Sequence, residues 1–241
     1  MIEFQELRKA FDGRHVLDGF SLEVKDGETM VIIGFSGAGK SVALKHVVGL
    51  LHPDSGDVIV DGRPVSTLDR PALTALRRDI GYVFQFAALF DSMTVAENVA
   101  LGLQRRGLDE AEMAARVAEA LALVDLTGTE AKMPAELSGG MRKRVGIARA
   151  IALKPRYILY DEPTTGLDPV TSAVIDRLMV RTRERLGVTG VVVTHDLRSA
   201  YTVGDRIAML YEGRIRQVGT VEAIRRSQDP VVQQFIEGRP E

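Results

Sequence analysis

Cysteine is absent from the 241 residues of this chain, and neither sign of charge is in large excess. Without cysteine the chain can form no disulfide and no cysteine-ligated zinc site. Its 31 lysine and arginine residues stand against 33 aspartate and glutamate residues, which gives a formal net charge of −2. Because proteins that bind nucleic acids usually carry a basic excess, this balance argues against a nucleic-acid partner.

Long apolar runs are also missing. No stretch approaches the roughly 18 consecutive apolar residues that a membrane-spanning helix needs. Residues 1–6 lack the basic and then apolar order of a secretory signal. We therefore expect a soluble chain that stays where it is made, so that any work at a membrane needs a partner to supply the membrane part. Hydrophobic residues still make up 45% of the chain, which allows a sizeable core.

Apolar periodicity changes several times along the chain. The first 25 residues are typical of strands with a turn at Asp12-Gly13, and Glu212-Gly213 is typical of a hairpin turn. Helical spacing predicts helices over 40–51, 109–125, 139–153 and 170–186. Apolar runs predict strands over 29–34, 58–60, 157–160 and 190–194. Strand, helix and strand in that order indicate a parallel sheet with crossover helices.

A glycine-rich segment between the strand at 29–34 and the helix at 40–51 matches the pattern G-x-x-x-x-G-K-[ST] in full. Its residues are Gly34, Phe35, Ser36, Gly37, Ala38, Gly39, Lys40 and Ser41. Glycines let the backbone curl so that several N–H groups face one phosphate, and the following helix adds its positive end. Lys40 is expected to reach the β- and γ-phosphates, and the Ser41 hydroxyl to ligate Mg²⁺. The segment therefore predicts a nucleotide-binding phosphate loop.

Two acids, Asp161 and Glu162, follow the apolar strand at 157–160. In a parallel sheet the carboxyl ends of the strands gather on one edge, so we expect these acids beside the phosphate loop. Asp161 could then hold the Mg²⁺ hydration shell, and Glu162 could polarise the attacking water. Acids also commonly begin surface loops, and the pair is informative because it accompanies a phosphate loop.

A Leu-Ser-Gly-Gly segment, with Ser138, Gly139 and Gly140, leads into the predicted helix 139–153. A hydroxyl and a flexible backbone at a helix N-terminus could form a second anion site. Taken alone, the segment is more typical of a plain helix cap. Two chains arranged head to tail would use both features, because each ATP would lie between one chain's phosphate loop and the other chain's Ser-Gly-Gly.

With these motifs in this order, the chain resembles the nucleotide-binding subunits of ABC transporters over residues 1–220. The resemblance implies a P-loop α/β fold with a mixed β core and an inserted helical subdomain, and ATP and Mg²⁺ as ligands. We expect a nucleotide-binding core at 1–85, a helical subdomain at 86–155 and the rest of the core at 156–220. The tail at 221–241 is expected to contact a second copy or a partner.

The resemblance also assigns roles to residues outside the phosphate loop and the acids. Gln85 corresponds to a glutamine that senses Mg²⁺ and the γ-phosphate, and His195 to a switch histidine that contacts the γ-phosphate. Asp168, in the loop 165–168, corresponds to a position that reaches the opposite subunit, and Val42 to one beside the nucleotide. Phe11 resembles the aromatic residue that stacks on adenine, although a core residue at a strand end is an equally good interpretation.

Two positions depart from the family pattern: Met141 stands where many relatives carry Gln, and Gly166 where many carry Ala. Neither changes a group that phosphate chemistry requires. Residues 85–92, 138–145, 159–163 and 229–238 resemble the ATPases of Mla phospholipid-transport and Mce-type systems.

This branch implies a second copy of the chain, an integral membrane permease, an Mce-type lipid-binding protein and a small STAS-domain protein as partners. It places the chain peripherally on the cytoplasmic face of the inner membrane. The alternatives are the ATPase of an amino-acid or other small-solute importer, a non-transport ABC ATPase, and a nucleotide switch without turnover. Glu162 argues against the switch, because a switch needs no positioned base.

Overall fold

The computed structural model describes residues 1–239, except for the side chain of residue 105. Contacts divide the chain into two compact units: unit 1 comprises Met1–Arg77 and Thr189–Glu241, and unit 2 comprises Arg78–Val188. The predicted segments 1–85, 86–155, 156–220 and 221–241 follow other boundaries. The boundaries differ because unit 2 contains two strands, at residues 80–83 and 157–161, and a long helix at residues 169–186 in addition to the helices of the predicted subdomain. The four-segment division therefore stays a prediction.

Unit 1 contains a four-stranded sheet in the order β2-β1-β4-β5. Its strands are β1 (Ile2–Phe11), β2 (Arg14–Val24), β4 (Ser55–Val60) and β5 (Arg63–Pro64). β1 pairs antiparallel with β2 and with β4. The predicted turn Asp12-Gly13 joins β1 to β2, with φ of 49° and 77° at its two residues. Positive φ at both residues is what a two-residue hairpin turn requires, and this is why glycine follows aspartate there.

A second set of strands in unit 1 carries the phosphate-loop segment. It consists of β3 (Thr29–Ile33), β8 (Thr189–Val193), β9 (Arg206–Tyr211) and β10 (Arg214–Thr220). β3 pairs in parallel with β8 and β9, and β10 pairs antiparallel with β9. All residues of β3 and β8 are buried, as the continuous apolar runs predict. The predicted hairpin at Glu212-Gly213 is confirmed.

Helix α1 (Lys40–Val47) ends earlier than the predicted 40–51. Gly49 has a φ of 60°, its N–H bonds to the His46 carbonyl, and the Leu50 N–H bonds to the Lys45 carbonyl. This pair of bonds is a Schellman motif, which ends a helix at a left-handed glycine. Leu50 lies beyond that end and is 55% exposed.

The other helices of unit 1 are short. They are α7 (Leu197–Val203), α8 (Val221–Arg225) and α9 (Pro230–Glu237), and α2 (Arg70–Arg78) ends at the boundary between the units. α9 is anchored by Val232, which is fully buried, and by its capping residue Asp229, which pairs with Arg216 at 2.8 Å. The segment 221–241, as far as it is described, thus packs on its own chain.

Unit 2 combines the parallel strands β6 (Ile80–Val83) and β7 (Tyr157–Asp161) with four helices. These are α3 (Val95–Ala100), α4 (Glu110–Leu123), α5 (Gly139–Ile151) and α6 (Pro169–Leu186). α5 packs against α3, α4, α6 and β6, and it is the most buried of the four. The middle of the chain is therefore helical, as predicted.

Each of the three helices predicted in unit 2 differs from the observed helix by one or two residues at one end or both. Asp109, Ser138 and Asp168 lie before the first helical residue and cap it, with side-chain oxygens that accept backbone N–H groups. α4 ends before Asp125, whose φ is 56°, and α5 ends at Ile151 rather than at residue 153.

Candidate functional site

The phosphate loop in unit 1 leaves β3 at Ile33 and enters α1 at Lys40. Gly39, with a φ of 99°, is the residue before the helix, and a Cβ atom there would lie 2.8 Å from Val16 Cγ1. A Cβ atom on Gly34 would lie 2.5 Å from the Leu210 carbonyl oxygen. The glycines at both ends of the loop are therefore required by close packing against neighbouring strands.

The Lys40 side chain lies inside the curl of this loop. Its ammonium donates to the Gly34 carbonyl at 2.8 Å and to the Phe35 carbonyl at 3.1 Å, and the residue is 6% exposed. Ser41 and Val42 follow it in the first turn of α1 and are half-buried. Glycine-rich loops that lead into a helix N-terminus commonly bind anions, and phosphate binding by this loop stays a prediction.

A groove in unit 1 continues from the phosphate loop. The β1–β2 hairpin, the β9–β10 hairpin and α9 form its walls. Its lining residues are Arg14, His15, Val16, Phe35, Ser36, Gly37, Ala38, Tyr211, Glu212, Gly213 and Gln234. No sequence pattern indicated that the first hairpin and α9 would line this groove. Phe35 also packs edge-on against Phe235 of α9, with ring centroids 5.1 Å apart.

Phe11 lies at the end of β1, opposite Arg14 in the hairpin. It is 41% exposed, so it is not a core residue, which was one of its two interpretations. The Lys9 ammonium lies 5.6 Å from the centre of its ring. An exposed aromatic face can stack on a nucleobase, and this role stays a prediction.

His195 lies near the start of the phosphate loop within unit 1. β8 pairs with β3 so that Val193 is opposite Ile32, and the Thr194 N–H donates to the Ile32 carbonyl at 3.2 Å. His195 follows directly and is exposed. Strand register therefore brings the predicted switch histidine to the edge from which the loop leaves.

In unit 2 the acid pair ends β7. Asp161 is 7% exposed and its Oδ2 accepts the Tyr82 hydroxyl at 3.0 Å. Burial and the Asp161 carboxylate raise the pKa of Tyr82 well above its usual range, so the phenol stays a donor. Glu162 is 9% exposed, has a φ of 48° and accepts the Thr165 hydroxyl at 3.1 Å. Both carboxylates are thus held in fixed directions.

Gln85 lies close to this pair because β6 and β7 are parallel. Val83 is opposite Tyr160, so Gln85 and Glu162 each lie two residues beyond a matched position. Gln85 itself is half-buried. Three residues with predicted roles therefore gather on one edge of unit 2.

Ser138 caps α5, and its Oγ accepts the Met141 N–H at 3.2 Å. Ser138 and Gly139 are exposed. Gly140 faces α6, where an added Cβ atom would lie 2.5 Å from Thr171 Cγ2. The structure thus supports the helix-cap interpretation directly, and contact with a nucleotide stays a prediction.

Asp168 caps α6. Its Oδ1 accepts the N–H groups of Val170 and Thr171 at 2.9 and 3.0 Å, and its Oδ2 accepts the Thr171 hydroxyl. The Thr171 hydroxyl contributes most to lowering the pKa of Asp168. Contact with an opposite subunit stays a prediction for this residue.

A buried lysine in this unit was not predicted from the sequence. Lys143 of α5 is 7% exposed and donates to the Gln85 carbonyl. Helical spacing could have indicated its burial, because Lys143 shares a helix face with the buried residues Gly146, Ile147 and Ala150. A charged residue on an apolar face of a helix commonly has a specific partner.

The residues present are suitable ligands for Mg²⁺. This ion prefers oxygen ligands and usually binds through one or two carboxylates, substrate phosphates and water. Each predicted ligand carries an oxygen of the kind that Mg²⁺ prefers, namely the buried Asp161 carboxylate, the Ser41 hydroxyl and the Gln85 amide oxygen, and their binding of a common ion stays a prediction. Within residues 1–239 no three His, Asp or Glu side chains form a metal cluster, and a site that shares Mg²⁺ with phosphates does not need one.

None of the helices found among residues 1–239 is long and apolar enough to cross a membrane.

A family model described as ABC transporter matches residues 17–165, which is more than half of the chain. The chain belongs to the ABC transporter family. It is 41% identical over 239 residues to the probable ribonucleotide transport ATP-binding protein mkl of Mycobacterium tuberculosis H37Rv, covering 99% of this chain and 67% of that protein. It is 45% identical over 226 residues to the methionine import ATP-binding protein MetN of Caulobacter vibrioides, covering 93% and 68%.

Solved structures agree with this assignment. A dimeric bacterial ABC transporter cassette matches with a TM-score of 0.85 and 36% identity, over 92% of this chain and 99% of that one. The cbiO1 protein of Clostridium perfringens, part of the transporter complex cbiONQ, matches with a TM-score of 0.86 and 32% identity, over 99% and 94%. The predicted fold class is confirmed, and the chain is an ATP-binding subunit of an ABC transporter, whose ATPase domain implies ATP hydrolysis.

Proposed function

We propose that this chain binds and hydrolyses ATP to drive phospholipid transport through a separate integral permease. The observation that carries the enzymatic part is the buried Lys40 ammonium inside a glycine curl at the start of α1. The loop N–H groups, Lys40 and Ser41 would bind the phosphates and Mg²⁺, and Phe11 would stack on the base. Asp161 would hold the ion's hydration shell and Glu162 would polarise the attacking water, while Gln85 and His195 would sense the γ-phosphate.

The working form in this proposal is a head-to-tail dimer of two copies. Ser138, Gly139 and Gly140 of one copy contact the ATP held by the other, and Asp168 contacts the opposite subunit. Exposure of Ser138 and Gly139 at the N-terminus of α5 supports this, because such a terminus attracts a phosphate. Lys40→Ala should weaken ATP binding by the isolated monomer, whereas Ser138→Arg should leave that binding intact and abolish hydrolysis.

A mixed dimer tests the arrangement directly. If one subunit carries Lys40→Ala and the other carries Ser138→Arg, both changes fall in one composite site and the second site is intact. The matched control pairs a wild-type subunit with one that carries both changes, because each site then contains one damaged half. Doubly tagged dimers should hydrolyse ATP in the first pairing only. Equal hydrolysis by both pairings would contradict the head-to-tail proposal.

The permease docks, in this proposal, on an apolar surface of unit 2 that we call the aromatic groove. It is lined by Tyr82, Phe84, Ala88, Phe90, Leu101 and Leu153, among others. Phe84 and Phe90 are 39% and 51% exposed, and Phe86 beside them is 82% exposed. Exposed aromatic residues around a groove suit a short amphipathic helix of a partner.

Phe90→Asp tests this surface, and Leu50→Asp is its control. Leu50 is a similarly exposed apolar residue in unit 1, at 55% against 51% for Phe90. Phe90→Asp should abolish co-purification with the permease while ATP binding and circular dichroism of the isolated subunit stay unchanged. Leu50→Asp should change neither. Co-purification of the Phe90 variant at the wild-type level would place the docking surface elsewhere.

The phospholipid substrate is supported by the segments at 85–92 and 229–238, which resemble those of Mla and Mce-type ATPases. Methionine import is the second candidate, because a relative with that name is 45% identical. The chain is proposed to act at the cytoplasmic face of the membrane. Purification from mildly solubilised membranes should therefore recover it together with the permease, an Mce-type lipid-binding protein and a STAS-domain protein. The reconstituted complex should then hydrolyse ATP faster with the phospholipid-loaded binding protein and not with methionine. The opposite pattern would select the second candidate.

A further inference from the structure

Lys143 is a buried cation outside the motifs that define the proposed chemistry. It lies on α5, five residues after Ser138, and is only 7% exposed. Lysine is almost never buried unless its charge has partners. Burial lowers the pKa of Lys143, and the carboxylates of Glu162 and Asp161 oppose that change.

The partners of Lys143 are backbone carbonyls of two residues in the proposed reaction. Its ammonium donates to the Gln85 carbonyl, and it lies 3.5 Å from the Glu162 carbonyl oxygen. Gln85 follows β6 and Glu162 follows β7, so one side chain connects the ends of two strands. Glu162 has a φ of 48°, in a region that non-glycine residues adopt only when the surroundings hold them there.

α5 holds the same segment at a second point. Arg149 donates to the carbonyls of Ala87 and Ala88, each at 2.7 Å. Both alanines have positive φ, 59° and 47°, and Gly146 packs closely against Ala87. Arg149 therefore fixes the conformation of residues 87 and 88, whereas only Lys143 also reaches Glu162.

We propose that Lys143 is a positioning residue, which sets the direction of the Glu162 carboxylate and couples it to Gln85 through their backbone carbonyls. This inference rests on the roles proposed for Gln85 and Glu162. A carboxylate that must aim at a water molecule tolerates little displacement, because a shift of about 1 Å can cost two orders of magnitude in rate. The link would also transmit any movement of the N-terminus of α5 to both residues at once.

Lys143→Met tests the proposal, since methionine keeps most of the side-chain volume and loses the ammonium. We expect kcat for ATP to fall about ten- to hundredfold while KM and ATP binding by the monomer change less than about twofold. Lys143→Gln should recover part of kcat, because its amide can still donate to one carbonyl. Arg149→Met is the matched control, because it removes a cation of α5 that binds the carbonyls of Ala87 and Ala88 and does not contact Glu162. Its fall in kcat should be several-fold smaller than that of Lys143→Met.

Three outcomes overturn the inference. They are wild-type kcat in Lys143→Met, a rise in KM in place of a fall in kcat, and equal losses in the Lys143 and Arg149 variants. Thermal unfolding of each variant shows whether a fall in kcat reflects loss of the folded state. If Lys143→Met is unfolded, the test passes to Lys143→Gln, whose kcat should lie below that of the wild type, and a wild-type kcat in that variant would overturn the inference. Wild-type chain and Glu162→Gln are measured alongside. Absence of hydrolysis by the wild type would remove the proposed function and this inference together, whereas normal wild-type hydrolysis confines a failure to Lys143.

Discussion

Replacing Glu162 by glutamine removes a charge from a site that the fold holds closely. Glu162 is 9% exposed and accepts the Thr165 hydroxyl at 3.1 Å. Glutamine has nearly the same shape, and its amide oxygen can accept the same hydroxyl. We therefore expect Glu162→Gln to fold and to bind ATP like the wild type.

The loss of activity follows from the loss of a general base. A positioned base typically contributes about 10²- to 10⁴-fold in rate, and each decade corresponds to about 1.4 kcal/mol. Glu162→Gln should therefore raise the barrier by about 3 to 5 kcal/mol. Thr165→Val removes only the hydroxyl that orients the carboxylate. Since Thr165 is partly exposed, we expect about 1 kcal/mol, or roughly a fivefold fall in kcat.

Steady-state ATPase assays with Mg-ATP measure both variants, and titration with a fluorescent ATP analogue checks binding. Light scattering should show Glu162→Gln accumulating as an ATP-bound dimer, because hydrolysis no longer reopens it. The order of activity should be wild type, then Thr165→Val, then Glu162→Gln. Wild-type turnover by Glu162→Gln would refute its role as the base, and loss of ATP binding would show that the carboxylate has a structural role.

The other predictions concern parts of the fold that support the site. Phe235→Ala removes an aromatic contact worth about 1 kcal/mol from Phe35. Nucleotide titration should show a few-fold fall in ATP affinity, and an unchanged affinity would show that α9 does not support the loop in binding ATP. Gly140→Ala should lower stability by about 1 to 3 kcal/mol, because its Cβ atom would meet Thr171. Gly139→Ala, whose nearest neighbour would be 3.8 Å away, should melt no lower than the wild type. Burial lowers the pKa of His46 below its unfolded value, so the unfolded chain takes up the proton first as pH falls. Stability should therefore fall below about pH 6.5. His46→Asn should flatten that fall in urea unfolding at pH 7, 6 and 5, and equal slopes would contradict this role for His46.

The strand, glycine-rich loop and helix at residues 29–47 could be predicted from the sequence because the constraints on such a loop are local. A glycine curl needs particular residue types at fixed spacing, and the flanking strand and helix carry strong apolar patterns. The two-residue turns at Asp12-Gly13 and Glu212-Gly213 were predictable for the same reason, since positive φ restricts which residues can occupy them.

The elements that sequence missed depend on tertiary contacts. β6 has only four residues and α8 only five, so each is too short for its apolar periodicity to stand out from its surroundings. The length of α1 was overestimated because the apolar spacing continues past Gly49, where backbone conformation ends the helix. Lys143 was missed because composition marks lysine as a surface residue, and only the carbonyls that it meets in the fold explain its burial.

α5 connects the features that the proposed cycle requires. Ser138 lies at its N-terminus and Lys143 in the turn that follows. Arg149 lies in its last turns, about 16 Å from Ser138 along the helix axis. Arg149 holds Ala87 and Ala88, and Ala88 also lines the aromatic groove. α5 is 13 residues long and buried along one face, and close-packed interiors of this kind transmit strain. An ATP phosphate drawn to Ser138 would therefore act through one element on both the carboxylate that drives hydrolysis and the surface proposed for the permease.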